Sequence, residues 1–141
     1  MQTFSTFEIC EALEIPHERL RQWLKLGFII PLIPAQGQGT RAEFSKADVY
    51  GIALFNELVG FGWKREVAAR CFKGYVKLDK FDKWEFIGLV MKKGREPFLI
   101  NYEDIDTLLT VMKSHADDWH QIHVINFGIL KEAVDEKLTK E

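Results

Sequence analysis

The chain has 141 residues, 47% of them hydrophobic and 13% aromatic, and it carries a net charge of −2. This composition excludes an intrinsically disordered chain, and no apolar run is long enough to span a membrane. The N-terminal residues lack the basic and apolar regions of a secretory signal peptide, so we expect a cytoplasmic protein without a membrane partner. Cys10 and Cys71 both lie on apolar helix faces, where we expect burial in the core and no disulfide.

The first predicted helix covers residues 6–13. Ser5 and Glu8 have the spacing of a capping box, which marks the start of a helix. The apolar residues that should face the core are Ile9, Ala12 and Leu13. A helix this short needs a neighbour to pack on, and the next segment supplies one.

A second helix is predicted over residues 17–25, after a short connection. Leu20, Trp23 and Leu24 have the i, i+3, i+4 spacing of an inward-facing stripe, so we expect Trp23 to belong to the core. The candidate DNA contacts on the polar faces are His17, Arg19, Arg21, Gln22 and Lys25. Arginine and glutamine form bidentate hydrogen bonds with guanine and adenine edges in the major groove. Two short helices joined tightly are typical of a helix-turn-helix.

A β-hairpin is predicted over residues 28–44, because two runs of strand-forming residues flank a tip rich in glycine and glutamine. Pro31 and Pro34 lack backbone donors, so they should lie at strand ends or edges. A polar hairpin directly after a helix-turn-helix would be a wing. Its candidate contacts to DNA are Gln38, Thr40 and Arg41. We expect the glycines of the tip to serve turn geometry, and Phe44 to be core.

Two more helices should follow. Ser45 with Asp48 forms another capping box, which opens a helix over residues 46–58. A fourth helix is expected from about residue 65 to residue 72 or beyond. The loop before it and its first turn add two candidate DNA contacts, Lys64 and Arg65. The alternative for this pair is an ordinary solvated turn.

The positive charge is local to this part of the chain. Residues 15–46 hold five basic and two acidic side chains, although the chain as a whole is slightly acidic. The footprint is small, and phosphate contacts set affinity for DNA through counterion release. A single copy should therefore bind DNA weakly, and two copies or a helper protein are expected to act together.

A polar segment of alternating charge, residues 77–83, marks the predicted boundary between a first domain, 1–76, and a second, 77–141. The second is predicted to be a ββαβα module. Its elements are strands over 84–91 and 97–100, a helix capped by Asn101 with Asp104, a strand over 119–125 and a helix starting at Asn126. The apolar stripe of the first of these helices is Ile105, Leu108, Leu109 and Met112. The predicted fold class is α+β, with four short helices and a β-hairpin wing followed by this module.

The order of these motifs resembles the MerR-type winged helix-turn-helix domain over about the first half of the chain. The resemblance is carried by Leu20-Arg21-Gln22-Trp23, Gly27-Phe28-Ile29-Ile30-Pro31, Arg41 to Ser45, and Leu58 with Gly60-Phe61. At these places the family typically shows Leu-Arg-Tyr-Tyr, Gly-Leu-aliphatic-Pro, Arg-x-Tyr-Ser and Leu-Gly-Phe. The resemblance implies that Arg21 and Arg41 match arginines that contact DNA. It also implies that the loop with Lys64 is a second, smaller wing near the DNA backbone.

The chain departs from that family in several places. Gln22 and Trp23 replace the usual tyrosine pair, and Pro16 stands where a serine N-cap is common. Arg41 and Phe44 are one residue further apart than usual. Regulators of this type usually dimerise through a long helix after the fourth one, and no heptad stripe of that length exists here. For a homodimer we therefore expect the C-terminal module or its last helix to form the interface.

The first hypothesis is a sequence-specific, double-stranded-DNA-binding transcriptional regulator that acts as a homodimer. RNA polymerase or a recombinase are further candidate partners. One alternative is an excisionase-like architectural factor that bends DNA. Another is a ligand- or protein-binding module in which the winged helix is a scaffold. In that case the binding surface would be formed by aromatic residues of the second half, namely Trp84, Phe86, Phe98 and Trp119.

No motif for catalysis or for a phosphate-binding loop occurs in the sequence, so an enzyme is not expected. Three histidines, His115, His120 and His123, are the residues that raise the question of a metal site. His120 and His123 would point to opposite faces of a strand, and no cysteine or close carboxylate completes a ligand set. We therefore expect no metal and no cofactor.

Overall fold

The computed structural model describes residues 2–76 and 84–139. These residues form six helices and two small antiparallel sheets, so the chain is an α+β protein, as predicted. They divide into two compact units, of which the first holds the residues up to 76 and those from 132 to 139, and the second holds residues 84–131. The predicted boundary segment, residues 77–83, lies outside the described residues. None of the described helices combines the length and the apolar character needed to cross a membrane.

Short helices dominate the first unit. Its elements are β1 (Phe4–Ser5), α1 (Thr6–Leu13), α2 (His17–Lys25), β2 (Glu43–Phe44), α3 (Lys46–Gly60) and α4 (Arg65–Val76). The hydroxyls of Ser5 and Ser45 each accept a hydrogen bond from the backbone three residues on, and both predicted capping boxes are confirmed. β1 and β2 pair antiparallel, with Phe4 opposite Phe44. These caps and this pairing fix where α1 and α3 begin.

The core of the first unit is built around α3. Its residues from Asp48 to Phe55 are all buried, and α4 packs closely against it. The predicted inward stripe of α2 reaches the same core, since Leu20 and Trp23 are buried. Cys10 and Cys71 are also buried and free, as predicted. The apolar side of α2 is therefore held against α3, and its polar side faces outward.

The end of α2 is a Schellman motif built on Gly27, which has a φ of +79°. The N–H of Gly27 donates to the Leu24 carbonyl at 3.1 Å, and the N–H of Phe28 donates to the Trp23 carbonyl at 3.0 Å. Phe28 then stacks on Phe55 with 6.3 Å between ring centroids, and Trp23 meets that same ring edge-on at 4.6 Å. The chain is thus turned back onto the core directly after α2.

The β-hairpin predicted over residues 28–44 is reduced to one bridge. In this segment Ile33 and Glu43 each donate a backbone hydrogen bond to the other's carbonyl, at 3.0 and 2.8 Å. A longer ladder does not form, because the two prolines of the first arm lack donors and the Leu32 N–H donates to the Asp48 carboxylate at 3.0 Å. The segment between the two bridge residues, 33–43, is a loop, which we call the bridge loop.

The second unit has the predicted ββαβα order. Its elements are β3 (Phe86–Met91), β4 (Phe98–Tyr102), α5 (Ile105–Ser114), β5 (Gln121–Asn126) and α6 (Phe127–Thr139). The sheet order is β4-β3-β5, and both pairings are antiparallel. α5 covers one face of this sheet through Leu108 and Met112, which form a cluster with Val90 of β3. The C-terminal half of α6, from residue 132 onward, belongs to the first unit.

Two expectations about α5 are wrong. The helix is capped by Asp104, whose carboxylate accepts from the Thr107 N–H at 2.7 Å, whereas Asn101 belongs to β4. The predicted stripe is also too wide, since Leu108 and Met112 are buried but Ile105 and Leu109 are exposed. The reason is that a helix on a three-stranded sheet can bury only a narrow strip of its surface.

The last helix is tied to the first unit by its polar side chains. The Asp135 carboxylate accepts from the Tyr50 hydroxyl at 2.6 Å and lies 2.8 Å from Lys46 Nζ. Lys137 lies 3.6 Å from a carboxylate oxygen of Glu14. These contacts join the C-terminal half of α6 to α3 and to Glu14, the residue that caps the end of α1. The helical spacing of apolar residues in the sequence could not predict them, because they are made by polar side chains.

The packing of α3 on α4 gives a test of the first unit. A Cβ at Gly51 would lie 2.6 Å from Phe72 Cδ2 and 3.3 Å from Val76 Cγ1. Gly51→Ala should therefore lower the free energy of unfolding by about 1–3 kcal/mol, measured by urea denaturation. Gly74→Ala is the matched control, because that helical glycine has open space around it. It should raise the free energy of unfolding by about 0.5–1 kcal/mol, and equal effects of the two variants would contradict the close packing.

Candidate nucleic-acid interface

The outward side of α2 carries five of the ten predicted contact residues, all of them exposed. Four of the five line an open groove together with Glu18 and the residue that precedes the helix. The lining residues are Pro16, Glu18, Arg19, Arg21, Gln22 and Lys25. This side stays free of the core because Leu20 and Trp23 anchor the opposite side of the helix. The polar face is thus presented as one continuous ridge.

A second groove, of about 620 Å³, joins α2 to the bridge loop. Its walls come from the start of α1, from α2 and from the bridge loop with its flanks. The lining residues are Ser5, Thr6, Phe7, His17, Arg21, Leu24, Ala35, Thr40, Arg41 and Ala42. Arg21 therefore belongs to both grooves and faces the same space as Arg41. The two arginines singled out from the sequence lie on one surface.

Arg21 is held by an ion pair on this surface. Its Nη1 lies 2.6 Å from Glu18 Oε1, and its side chain is 71% exposed. An exposed pair of this kind contributes about 0–1 kcal/mol, so a stronger anion can take the guanidinium from it. His17, the first residue of α2, lies 4.0 Å from Glu11 and packs against the Phe7 ring with 5.6 Å between centroids. The wall of the second groove thus combines the Arg21 guanidinium and the His17 imidazole with the Phe7 ring.

The tip of the bridge loop is a tight turn that holds itself together. Thr40 Oγ1 accepts from the Gln36 N–H at 2.6 Å and donates to the Gly37 carbonyl at 2.8 Å. Gly37 and Gly39 have φ values of +100° and +87°, which confirms their role in turn geometry. The Thr40 hydroxyl is therefore engaged within the turn, while Gln38 and Arg41 project from it as exposed side chains.

The base of the bridge loop is anchored by Asp48. Its Oδ2 accepts backbone hydrogen bonds from Leu32 and from Ser45, each at 3.0 Å, so one carboxylate joins the loop to the start of α3. Burial raises the pKa of this carboxyl above its ordinary value of 3.8, and the hydrogen bonds from Ser45 and Leu32 oppose that rise. From the sequence Asp48 could be identified as a helix cap, but not as the anchor of the loop.

Lys64 and Arg65 lie outside both grooves. The Arg65 guanidinium lies over the Phe28 ring at 5.2 Å from its centroid, which is a cation–π contact. Since the N–H of Phe28 forms one of the two hydrogen bonds of the Schellman motif, Arg65 contacts the segment that ends α2. Lys64 precedes it and is exposed. Neither residue reaches the space that Arg21 and Arg41 share.

Most of the aromatic residues that were considered for a ligand-binding surface pack in the interior. Trp84 is buried, and Phe86 and Trp119 pack on the cluster beneath α5. The Trp119 indole N–H donates to the Met112 carbonyl at 2.8 Å. Of the four aromatic residues considered for a ligand-binding surface, Phe98 alone is exposed. Core packing therefore accounts for the other three.

The two grooves together are lined by eleven polar and aromatic residues of the first unit, and the sequence analysis did not propose four of them as contacts, namely Ser5, Thr6, Phe7 and Glu18. Phe7 lies outside the apolar stripe of α1, which is the signal that could have placed it on the surface. A scan against protein-family models and a search of curated proteins both gave no match for the chain. The surface consists of the largely basic side of α2 beside the bridge loop, with an arginine on each.

The Asp48 anchor can be tested by substitution. Asp48→Ala leaves the Leu32 and Ser45 N–H groups without this acceptor and should lower the free energy of unfolding by about 1–3 kcal/mol. Asp48→Asn is the matched control, since it retains an acceptor oxygen and should cost less. Amide hydrogen exchange should show faster exchange at Leu32 in the alanine variant. Unchanged exchange there would contradict the anchoring role.

The same residue predicts a dependence on pH. Because the pKa of folded Asp48 is raised, the folded chain binds this proton more tightly than the unfolded chain. Its contribution to the free energy of unfolding should therefore fall as pH rises from about 3.8 through the folded pKa. The difference in stability between the parent and Asp48→Asn, measured by urea denaturation across this range, should shift against the parent as pH rises. A shift of opposite sign would contradict the burial.

Proposed function

We propose that the chain is a sequence-specific, double-stranded-DNA-binding transcriptional regulator whose residues 2–76 act as a winged helix-turn-helix of the MerR-like kind. The observation that carries this proposal is the shared surface of Arg21 on α2 and Arg41 on the bridge loop. A helix and a loop that present cations to the same space can hold a polyanion at two places. The negative net charge of the chain does not oppose this, because the positive charge is concentrated here.

In this mechanism α2 enters the major groove. An α-helix with its side chains is about 10–12 Å across and the major groove is about 12 Å wide, so α2 would fit with its polar face toward the bases. Arg21 would read a guanine edge through two hydrogen bonds, and Gln22 would read an adenine edge or bind a phosphate. Arg19 and Lys25, on the same ridge, would contact the flanking phosphates.

The bridge loop would supply the second contact. Arg41 would bind phosphate or enter the minor groove beside the site read by α2, and Gln38 would add a hydrogen bond to the backbone. The self-bonded turn at Thr40 and the anchor at Asp48 keep this loop in one conformation. Less conformational entropy is then lost on binding than for a free loop. Lys64 and Arg65 would neutralise phosphates near the end of α2.

Substitution of the two arginines tests this proposal. Arg21→Ala should weaken binding to a duplex selected from a random library by about 1–3 kcal/mol and should relax the base preference at one position. Arg41→Ala should weaken binding to selected and random duplexes alike, and should reduce the slope of log K against log salt by about 1. Binding would be measured by fluorescence anisotropy across a series of salt concentrations.

Arg70→Ala provides the control for charge. Arg70 is an exposed arginine of α4 that lines neither groove, so its substitution should change both affinities little. If the three variants and the parent bind both duplexes equally, or if none binds at low salt, the proposed interface is wrong.

Removal of the acid that pairs with Arg21 should strengthen DNA binding, whereas removal of the arginines should weaken it. Glu18 lies 2.6 Å from the guanidinium and would stand near phosphates in the complex, so Glu18→Gln should tighten DNA binding on the order of threefold to tenfold. Glu132→Gln, which removes an exposed acid from α6, is the control for net charge and should have a smaller effect. Weaker binding by Glu18→Gln would mean that Glu18 itself contacts a base.

A further inference from the structure

The β4 strand has an open edge. In the sheet order β4-β3-β5 it lies on the outside, and among residues 2–76 and 84–139 its backbone pairs with β3 alone. An edge strand presents a row of unpaired N–H and carbonyl groups that can accept another strand. Proteins usually block such an edge with charged residues or proline within the strand. β4 reads Phe-Leu-Ile-Asn-Tyr and contains neither.

Exposed apolar side chains occur on β4 and on the helix that packs over it, α5. α5 follows β4 after a short connection and runs back over β4 and β3, which are its main contacts. On α5, Ile105 and Leu109 are 36% and 43% exposed, and on β4, Phe98 is 37% exposed. Ile105 and Leu109 are one helical turn apart on the same side of α5. Exposed large apolar side chains on two elements that pack on each other indicate an interaction surface more than isolated exposure does.

The charges at the two ends of β4 have opposite sign. The turn before the strand is mainly basic, and the connection after it is acidic. The basic residues are Lys92, Lys93 and Arg95, with Glu96 as the acidic exception. The acidic residues are Glu103 and Asp104 in the connection and Asp106 in the first turn of α5. Hydrogen bonds from Thr107 lower the pKa of Asp104, so that carboxylate stays charged at neutral pH. In an antiparallel pair of two β4 strands, the basic end of each strand would therefore lie beside the acidic end of the other.

We propose that two copies of the chain pair along β4, antiparallel and about a two-fold axis, to form a continuous six-stranded sheet. In this dimer the two-fold axis is perpendicular to the sheet, so the paired strands are antiparallel. The basic turn of each copy then lies beside the acidic connection of the other. The same operation brings the exposed sides of the two α5 helices together. Backbone hydrogen bonds, apolar contact and charge then all favour the same partner, a second copy of this chain.

The other open edge fits a second copy less well. β5 also lacks charged residues, but Asp117 and Asp118 lie before it and its C-terminal end runs directly into α6. Residues 126–130, at the C-terminal end of β5, carry no charged side chain, so β5 lacks the side-chain charges of opposite sign that flank β4. The β4 edge is the one whose two ends attract each other.

Sedimentation equilibrium of the full chain without DNA tests this proposal. The parent should form a concentration-dependent dimer, and Leu109→Lys, which places like charges against each other across the axis, should weaken it by about tenfold or more. Ile129→Lys is the matched control, because Ile129 is an aliphatic residue of the same unit that is 58% exposed and distant in sequence from β4. Its dimer should match that of the parent, and far-UV circular dichroism should show that all variants are folded.

Charge reversal makes the test specific for the geometry. Arg95→Glu and Glu103→Arg should each weaken the dimer, since each creates a like-charge contact across the axis. The double variant should recover most of the affinity of the parent, because every opposed pair again has opposite sign. A monomer at every concentration would overturn the proposal. So would a dimer that Leu109→Lys leaves intact, or a double variant weaker than both single ones.

Dimerisation through β4 does not depend on the proposed DNA binding, and each can be tested without the other. Dimerisation is measured without DNA, and Arg21→Ala should leave it unchanged. A dimer that ignores DNA would overturn the DNA-binding proposal alone. A monomer that binds a single half-site through Arg21 would overturn the β4 pairing alone.

Discussion

The contact of Trp23 with Phe55 fixes the direction in which every other side chain of α2 points. The two rings meet edge-on at 4.6 Å, and the carbonyl of the same tryptophan accepts the hydrogen bond from Phe28 that turns the chain back onto α3. A nine-residue helix has little stability of its own. Its rotation about its axis is therefore set by this packing, and the packing decides which residues form the exposed ridge.

The bridge loop depends on a different kind of interaction. It has a single pair of ladder hydrogen bonds and little buried apolar surface, so its position is set by polar groups. The Asp48 carboxylate fixes the base of the loop by accepting a hydrogen bond from Leu32. The tip is fixed by the hydrogen bonds of Thr40 and by two glycines of positive φ. The unit thus combines a helix placed by apolar packing with a loop placed by hydrogen bonds. The space between them is where Arg21 and Arg41 both lie.

The sequence predicted what local physics determines. Two capping boxes, the α2 stripe and the ββαβα order follow from spacing and residue type, and the structure contains them. Three features could not be predicted because they depend on contacts distant in sequence. The Leu32 N–H is taken by Asp48, sixteen residues away, which leaves one bridge where a hairpin was expected. The exposure of Ile105 and Leu109 depends on how much of α5 the sheet covers. For the candidate site, the sequence supplied the exposed cations, but not the groove that Phe7 helps to form.

If α2 and the bridge loop form one DNA-binding surface, as proposed, both should respond when DNA is added. Nuclear magnetic resonance of the labelled chain, titrated with a short duplex at low salt, measures this response residue by residue. We expect the changes in chemical shift to concentrate at residues 17–25, at residues 36–42 and at the Arg21 and Arg41 side chains. Changes confined to residues 86–126, or no change at any duplex concentration, would contradict it.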